Sequence, residues 1–168
     1  MPKKILYLDM DNVLVDFQSG IDKLAPEVHS AYEGHLDDVP GIFALMDPMP
    51  GVMEAFKILV DYFDVFILST APWENPSTWT DKVLWVKNYL GEPARKRLIL
   101  THRKDLNRGD FLVDDREKHG VKDFVGTHLH FGNEQFPDWG RVLSYLVEGR
   151  DLSTEVNDSQ PADEPEPI

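Results

Sequence analysis

A chain of 168 residues, 42% hydrophobic and 28% charged, is long enough for one domain with a full core plus a small insertion. It has no cysteine, which excludes a disulfide, a thiolate metal site and a cysteine nucleophile. The net charge of -13 argues against general nucleic-acid binding, and no apolar run approaches the roughly 18 residues of a membrane span.

Met1-Pro2-Lys3-Lys4 leads straight into an apolar run without the long hydrophobic segment of a signal peptide, so a cytoplasmic protein is expected. Ile5 to Leu8 reads as a buried strand of a parallel sheet. It ends in Asp9 and Asp11, with Asn12 able to supply a turn. Alternation along an extended chain puts both acids on one side. Two carboxylates at the end of a buried strand are costly unless something positive sits there. A divalent metal with a phosphate ester would meet that need.

Residues 17–50 carry a helix over 19–24, a polar stretch and Pro40-Gly41, but no strong strand. So long a segment exceeds a plain loop and predicts a small, mostly helical cap over the site. Pro50-Gly51 then opens a helix over 52–62, with Val52, Ala55, Phe56, Leu59 and Val60 on a helical period. A second strand, 64–68, ends in Ser69-Thr70-Ala71-Pro72-Trp73. A helix follows over 77–90, with Ser77 as N-cap and Gly91 as stop. Short strands are expected at 98–100, at 111–113 ahead of Asp114-Asp115, and at 129–131, before a last helix over 139–147.

Residues 151–168 contain six acids, three prolines and no Lys or Arg, and should form a disordered acidic tail. Without them the body holds 24 acids against 17 Lys and Arg, a balance of -7. The division is therefore a core of 1–16 and 49–150, a cap of 17–48, and the tail.

Strands alternating with helices predict an α/β fold with a parallel five-stranded sheet flanked by helices. Ligands of such sheets bind at the carboxyl ends of the strands. There stand Asp9 and Asp11, Ser69 and Thr70, and Asp114 and Asp115, with Lys104 between the third and fourth strands. Taken singly, Ser69 could be a strand-end hydrogen bonder, Lys104 a solvated charge, and Asp114-Asp115 a helix cap. Arg103 and Lys82 compete with Lys104 for a basic role.

A hydrophobic strand ending in Asp-x-Asp-x-Val, then Ser or Thr, then Lys, then paired acids, resembles the haloacid dehalogenase (HAD) superfamily of phosphatases, with its Rossmannoid fold. The resemblance runs from about Lys4 to Val147. It implies that Asp9 attacks phosphorus and that Asp11 is the general acid and base. Mg2+ would be held by Asp9, Asp114 and the Asp11 main-chain carbonyl, with Asp115 ligating through water or orienting its neighbour. Ser69 and Thr70 would bind the phosphoryl group, and Lys104 would place positive charge against both the phosphate and Asp9.

Within that superfamily the chain is similar to the 5'(3')-deoxyribonucleotidases. The matching residues run from Asp9 to Phe17, with Pro48-Met49-Pro50-Gly51, Ile67-Leu68-Ser69-Thr70-Ala71-Pro72 and Leu100-Thr101-His102-Arg103-Lys104. The resemblance implies a phosphoric monoester hydrolase acting on (deoxy)nucleoside monophosphates with Mg2+, and Phe17 and Phe43 as walls of the nucleoside pocket. Departures are Asn12, where the family usually has Gly, and Ser-Thr-Ala-Pro in place of Thr-Ser-Pro. Competing readings are a sugar phosphate or other small ester as substrate, a non-catalytic phosphate-binding protein, and an enzyme of nucleic-acid ends, which the acidic body disfavours. A homodimer is left open.

Overall fold

Strand β1 (Ile5–Leu8) is the middle of five parallel strands. The computed structural model describes residues 2–149, so the expected acidic tail lies outside the described residues. β1 pairs on one side with β4 (Asp64–Ser69) and on the other with β6 (Phe111–Asp114), while β5 (Leu98–Leu100) and β7 (Thr127–His130) form the edges. Alternation sends Leu6 and Leu8 into one core, with Ala55, Phe56, Leu59, Trp139 and Val142. Tyr7 points to the other face, where it joins Leu68, Leu112, Val121 and Phe124. With every strand parallel, the carboxyl ends that carry Asp9, Ser69 and Asp114 lie along one edge of the sheet.

Helix α3 (Val52–Tyr62) forms as its apolar period predicts, burying Val52, Ala55, Phe56 and Leu59. Helix α4 (Ser77–Trp85) is followed by a π turn, Val86–Leu90, where one uninterrupted helix was the simplest expectation. Ser77 is not its N-cap; Pro76 holds that position. Instead the Ser77 hydroxyl donates to Asn75 Oδ1 at 2.7 Å and accepts from the Gly41 N–H at 2.9 Å. Helix α5 (Trp139–Leu143) starts at Asp138, whose carboxylate accepts from the Arg141 N–H at 2.9 Å.

The segment between β1 and α3 differs most from expectation. Two-residue strands β2 (Val15–Asp16) and β3 (Asp47–Pro48) pair antiparallel at the stem of the insertion. Two residues are too few to show an alternating pattern, and Pro48 reads as a strand breaker although a strand edge tolerates it. Helix α1 (Phe17–Ile21) begins two residues earlier than expected, because Asp16 accepts from the Ser19 N–H. Helix α2 (Pro26–Ala31) is an additional element between the expected helix and the polar stretch around 32–38, with Pro26 at its first turn. Gly20 lets α1 lie against the Ile42–Leu45 turn: a Cβ there would come within 2.9 Å of Met46 Cγ. Asn75, only 1% exposed, ties the insertion to the core by donating to the Asp37 and Val39 carbonyls, each at 2.9 Å. Among the described residues, no helix is long and apolar enough to cross a membrane.

Candidate active site

The turn after β1 is held by its own main chain. The N–H groups of Val13, Leu14 and Val15 all donate to the Met10 carbonyl, at 2.8 to 3.1 Å. Asn12 has φ of 58°, a left-handed conformation that Asn tolerates better than other side chains. That explains how Asn can stand where the family usually has Gly. The Asp9 N–H donates to Val113 O at 2.9 Å, so Asp9 remains on the sheet ladder while Asp11 has left it for the turn. From the far end of the sequence, the buried Trp139 indole N–H donates to the Val13 carbonyl at 2.9 Å and anchors the turn.

Asp9, Asp114 and Asp115 each bring a carboxylate oxygen within 4.8 Å of the others. Asp9 and Asp114 are 2% and 1% exposed, so their charges meet in a place water barely reaches. Burial, then the charge of Asp9, push the Asp114 carboxyl up to about 7, against the pull of Lys104. The same two causes raise Asp115. One Asp115 oxygen, Oδ2, accepts from Asn12 Nδ2 at 3.2 Å, whereas buried Oδ1 has no hydrogen-bond partner. The nearest cation, Arg116 Nε, is 3.7 Å from Oδ1, beyond hydrogen-bond length. Three hard oxygen donors with an unsatisfied buried atom fit a divalent cation.

Lys104 lies where expected. Its Nζ is 2.9 Å from Asp9 Oδ1 and 2.5 Å from Asp114 Oδ2, and its N–H is fixed by the His119 carbonyl at 2.8 Å. Burial works against its charge, but Asp9 and Asp114 more than offset this and raise its pKa. Arg103 faces outward and pairs with Asp105.

Asp11 does not join the carboxylate triad. Both its oxygens face Lys82 Nζ, at 3.0 and 3.1 Å; the expected metal contact of Asp11 was through its main-chain carbonyl. Burial, with Asp9 beside it, raises the Asp11 pKa more than Lys82 lowers it. Lys82 also donates to Ser69 Oγ at 2.8 Å and to the Thr70 carbonyl at 2.7 Å. Thr70, expected to bind phosphate beside Ser69, directs its hydroxyl proton instead to the Thr101 carbonyl at 2.9 Å.

A cavity of about 330 Å³ opens over Asp11, lined by Asn12, Phe17, Gly34, Leu36, Asp37 and Arg116. Phe17 is on its wall. Phe43 touches Phe17 edge-on at 5.8 Å but is 2% exposed and faces the Lys82 ammonium, 4.6 Å from its ring centre. The two rings therefore do not stand apart as facing walls. Trp73 and Trp79 gather around His102, outside this cavity. A larger groove of about 740 Å³ runs between α4 and β5, but none of the clustered carboxylates lines it.

A family model described as "5' nucleotidase, deoxy (Pyrimidine), cytosolic type C protein" matches residues 19–145. The chain belongs to this deoxyribonucleotidase family. It is 58% identical over 145 residues to a Vibrio phage KVP40 protein assigned as a 5'(3')-deoxyribonucleotidase, covering 86% of this chain and 85% of that one. It is 29% identical to the human cytosolic-type 5'(3')-deoxyribonucleotidase, over 86% of this chain and 81% of the relative. The HAD-hydrolase YfnB of Bacillus subtilis, in a structure bound to magnesium, superimposes with a TM-score of 0.59 at 9% identity, covering 88% of this chain and all of that one. That likeness shows the fold, which is the HAD fold. The chain is thus a phosphoric monoester hydrolase of the HAD superfamily.

Two further residues stand at this site, Lys82, which in the sequence is only a rival to Lys104, and Arg116. One signal could have found Lys82: it sits with Thr78 and Trp85 on the buried stripe of α4, a face where a lone lysine is costly without a partner. Arg116 carried no such signal. It reaches the cavity because its N–H donates to Asp114 Oδ1 at 3.0 Å, which fixes its main chain beside the triad.

Proposed function

We propose that the protein is a Mg2+-dependent phosphomonoesterase that hydrolyses (deoxy)nucleoside monophosphates to nucleoside and phosphate through an aspartyl-phosphate intermediate. The observation that carries this reading is the division of two buried carboxylates between two buried lysines at one sheet edge, Asp9 on Lys104 and Asp11 on Lys82. Asp9, with Lys104 Nζ at 2.9 Å, is placed to attack phosphorus. Its oxygen bonds to phosphorus as the ester P–O bond breaks, and Asp11 supplies the proton that the leaving alcohol takes. Asp11, then a carboxylate, takes a proton from water as that water's oxygen bonds to phosphorus. The Asp9–phosphorus bond breaks, releasing inorganic phosphate and restoring Asp9.

Asp9, Asp114 and Asp115 would hold Mg2+, which when bound neutralises phosphoryl charge and draws the ester into line. Ser69 would donate to a phosphoryl oxygen, and Lys104 would offset the crowding of anions. Phe17 offers an apolar wall to a nucleoside at the mouth of the cavity, and Arg116 a cation beside it. Residues 17–48 would act as the cap that sets this specificity, over a core of 1–16 and 49–150.

The test is phosphate release from a panel of deoxynucleoside, ribonucleoside and sugar phosphates, with Mg2+, with EDTA, and with Asp9→Asn. Release from deoxynucleotides that disappears with EDTA and with Asp9→Asn is expected. Release confined to sugar phosphates would retain the chemistry and discard the substrate class.

A further inference from the structure

Lys82 has no surface and no idle proton. Its Nζ is 0% exposed and within 2.7 to 3.1 Å of four oxygens: both of Asp11, Ser69 Oγ and the Thr70 carbonyl. An ammonium group has three N–H bonds. One serves the carboxylate in a forked contact, one the hydroxyl and one the carbonyl, so none is left for a phosphoryl oxygen. The Phe43 ring closes the remaining side at 4.6 Å. Lys82 is therefore walled off from substrate, while each polar side chain it touches lies in the proposed reaction path.

Two consequences follow from hydrogen-bond direction. Lysine cannot accept, so Ser69 Oγ must accept from Lys82, and no protein acceptor among the described residues takes the Ser69 proton. The hydroxyl is left as a donor. The forked contact also fixes the Asp11 carboxylate plane and uses one lone pair of each oxygen. The other lone pairs are free toward the cavity that Asp11 lines.

We propose that Lys82 is the positioning residue of the acid–base half of the site, setting the Asp11 carboxylate toward the leaving group and obliging Ser69 to present its proton to the phosphoryl group. Lys104 performs the separate task of serving Asp9 and the metal triad. This assignment rests on the phosphatase reading given above and deepens it. The anchor is also joined to the insertion, because Phe43 and Lys82 pack together.

The test compares kcat/KM for a deoxynucleoside monophosphate and for p-nitrophenyl phosphate in wild type, Lys82→Met and Lys82→Gln. This ratio reports steps through the first irreversible one, the transfer to Asp9. An alkoxide needs a proton to leave and p-nitrophenolate does not. If Lys82 acts through Asp11, Lys82→Met lowers kcat/KM by about 10²–10³-fold for the nucleotide but by only about 10-fold for the aryl ester. Lys82→Gln, which can still donate to Ser69 Oγ, should recover part of the aryl-ester loss. In an Asp11→Asn background, Lys82→Met should add less than about 3-fold for the nucleotide, since the group it positions is gone.

Equal losses for both esters, or full additivity with Asp11→Asn, would overturn the assignment. So would loss of the fold in both lysine variants, which would make Lys82 a structural strut. A wild-type protein inert toward every ester would overturn the phosphatase reading itself, and the assignment with it.

Discussion

Replacing Lys104 by Met should expose how much of this fold's stability at the site depends on a cation. Lys104 Nζ is 2.9 Å from Asp9 and 2.5 Å from Asp114, with its side chain 4% exposed. With an effective dielectric of about 20, a charge pair at that first distance attracts by about 6 kcal/mol, most of it offset by desolvation. What the variant loses is different: Met fills the volume but leaves Asp9 and Asp114 buried, close together and without their cation. Removing one partner of a buried pair costs about 3–5 kcal/mol. In a domain of this size that is a fall in Tm of about 10 °C.

A bound divalent cation replaces part of the missing charge, so Mg2+ should stabilise Lys104→Met more than wild type. At 100 times Kd, binding alone contributes about 2.7 kcal/mol. Thermal and urea unfolding at pH 8, above the raised Asp114 value of about 7, in EDTA and in Mg2+, would measure both terms. A variant within about 1 kcal/mol of wild type in EDTA, or one gaining no more from Mg2+ than wild type does, would refute the reasoning.

Asp114 gives the metal-free protein its own pH dependence: its carboxyl ionises near 3.8 in the unfolded chain and at about 7 in the fold, so folding takes up a proton between those values. Stability in EDTA should therefore fall as pH rises across that window and recover with Mg2+; a flat profile in EDTA would contradict it. Phe17→Ala should raise KM for nucleotides about 10-fold, with kcat and the kinetics of p-nitrophenyl phosphate little changed, as steady-state assays would show. Trp139→Phe removes the N–H that satisfies the Val13 carbonyl and should cost about 1–3 kcal/mol by urea unfolding.

Several elements were legible in the sequence because their signals are local. The apolar run Ile5 to Leu8 reads as a strand from its own residues, and Leu6 to Leu8 are buried, so the acids beyond it had to stand at a strand end. The period of Val52, Ala55, Phe56 and Leu59 marked α3 in the same way. The paired strands β2 and β3 were not legible, since two residues have no period and their pairing joins positions about 30 apart in sequence. Helix α2 is polar enough to read as a loop; its apolar residue Val28 packs on a core supplied by distant parts of the chain.

The site divides along the same line. Its placement was legible from residue order: Asp9, Asp11, Ser69, Lys104, Asp114 and Asp115 follow strands that a parallel sheet brings to one edge. Their pairing was decided only in three dimensions. Which lysine meets which carboxylate depends on how α4 lies against the sheet, and that orientation is set by the packing of Trp85 and by Asn75 and Ser77 bonding to the insertion. A buried ammonium must find anionic or carbonyl oxygens within about 3 Å, and only the packed chain decides which are within reach. It brought Asp11 and Ser69 to Lys82, and Asp9 and Asp114 to Lys104.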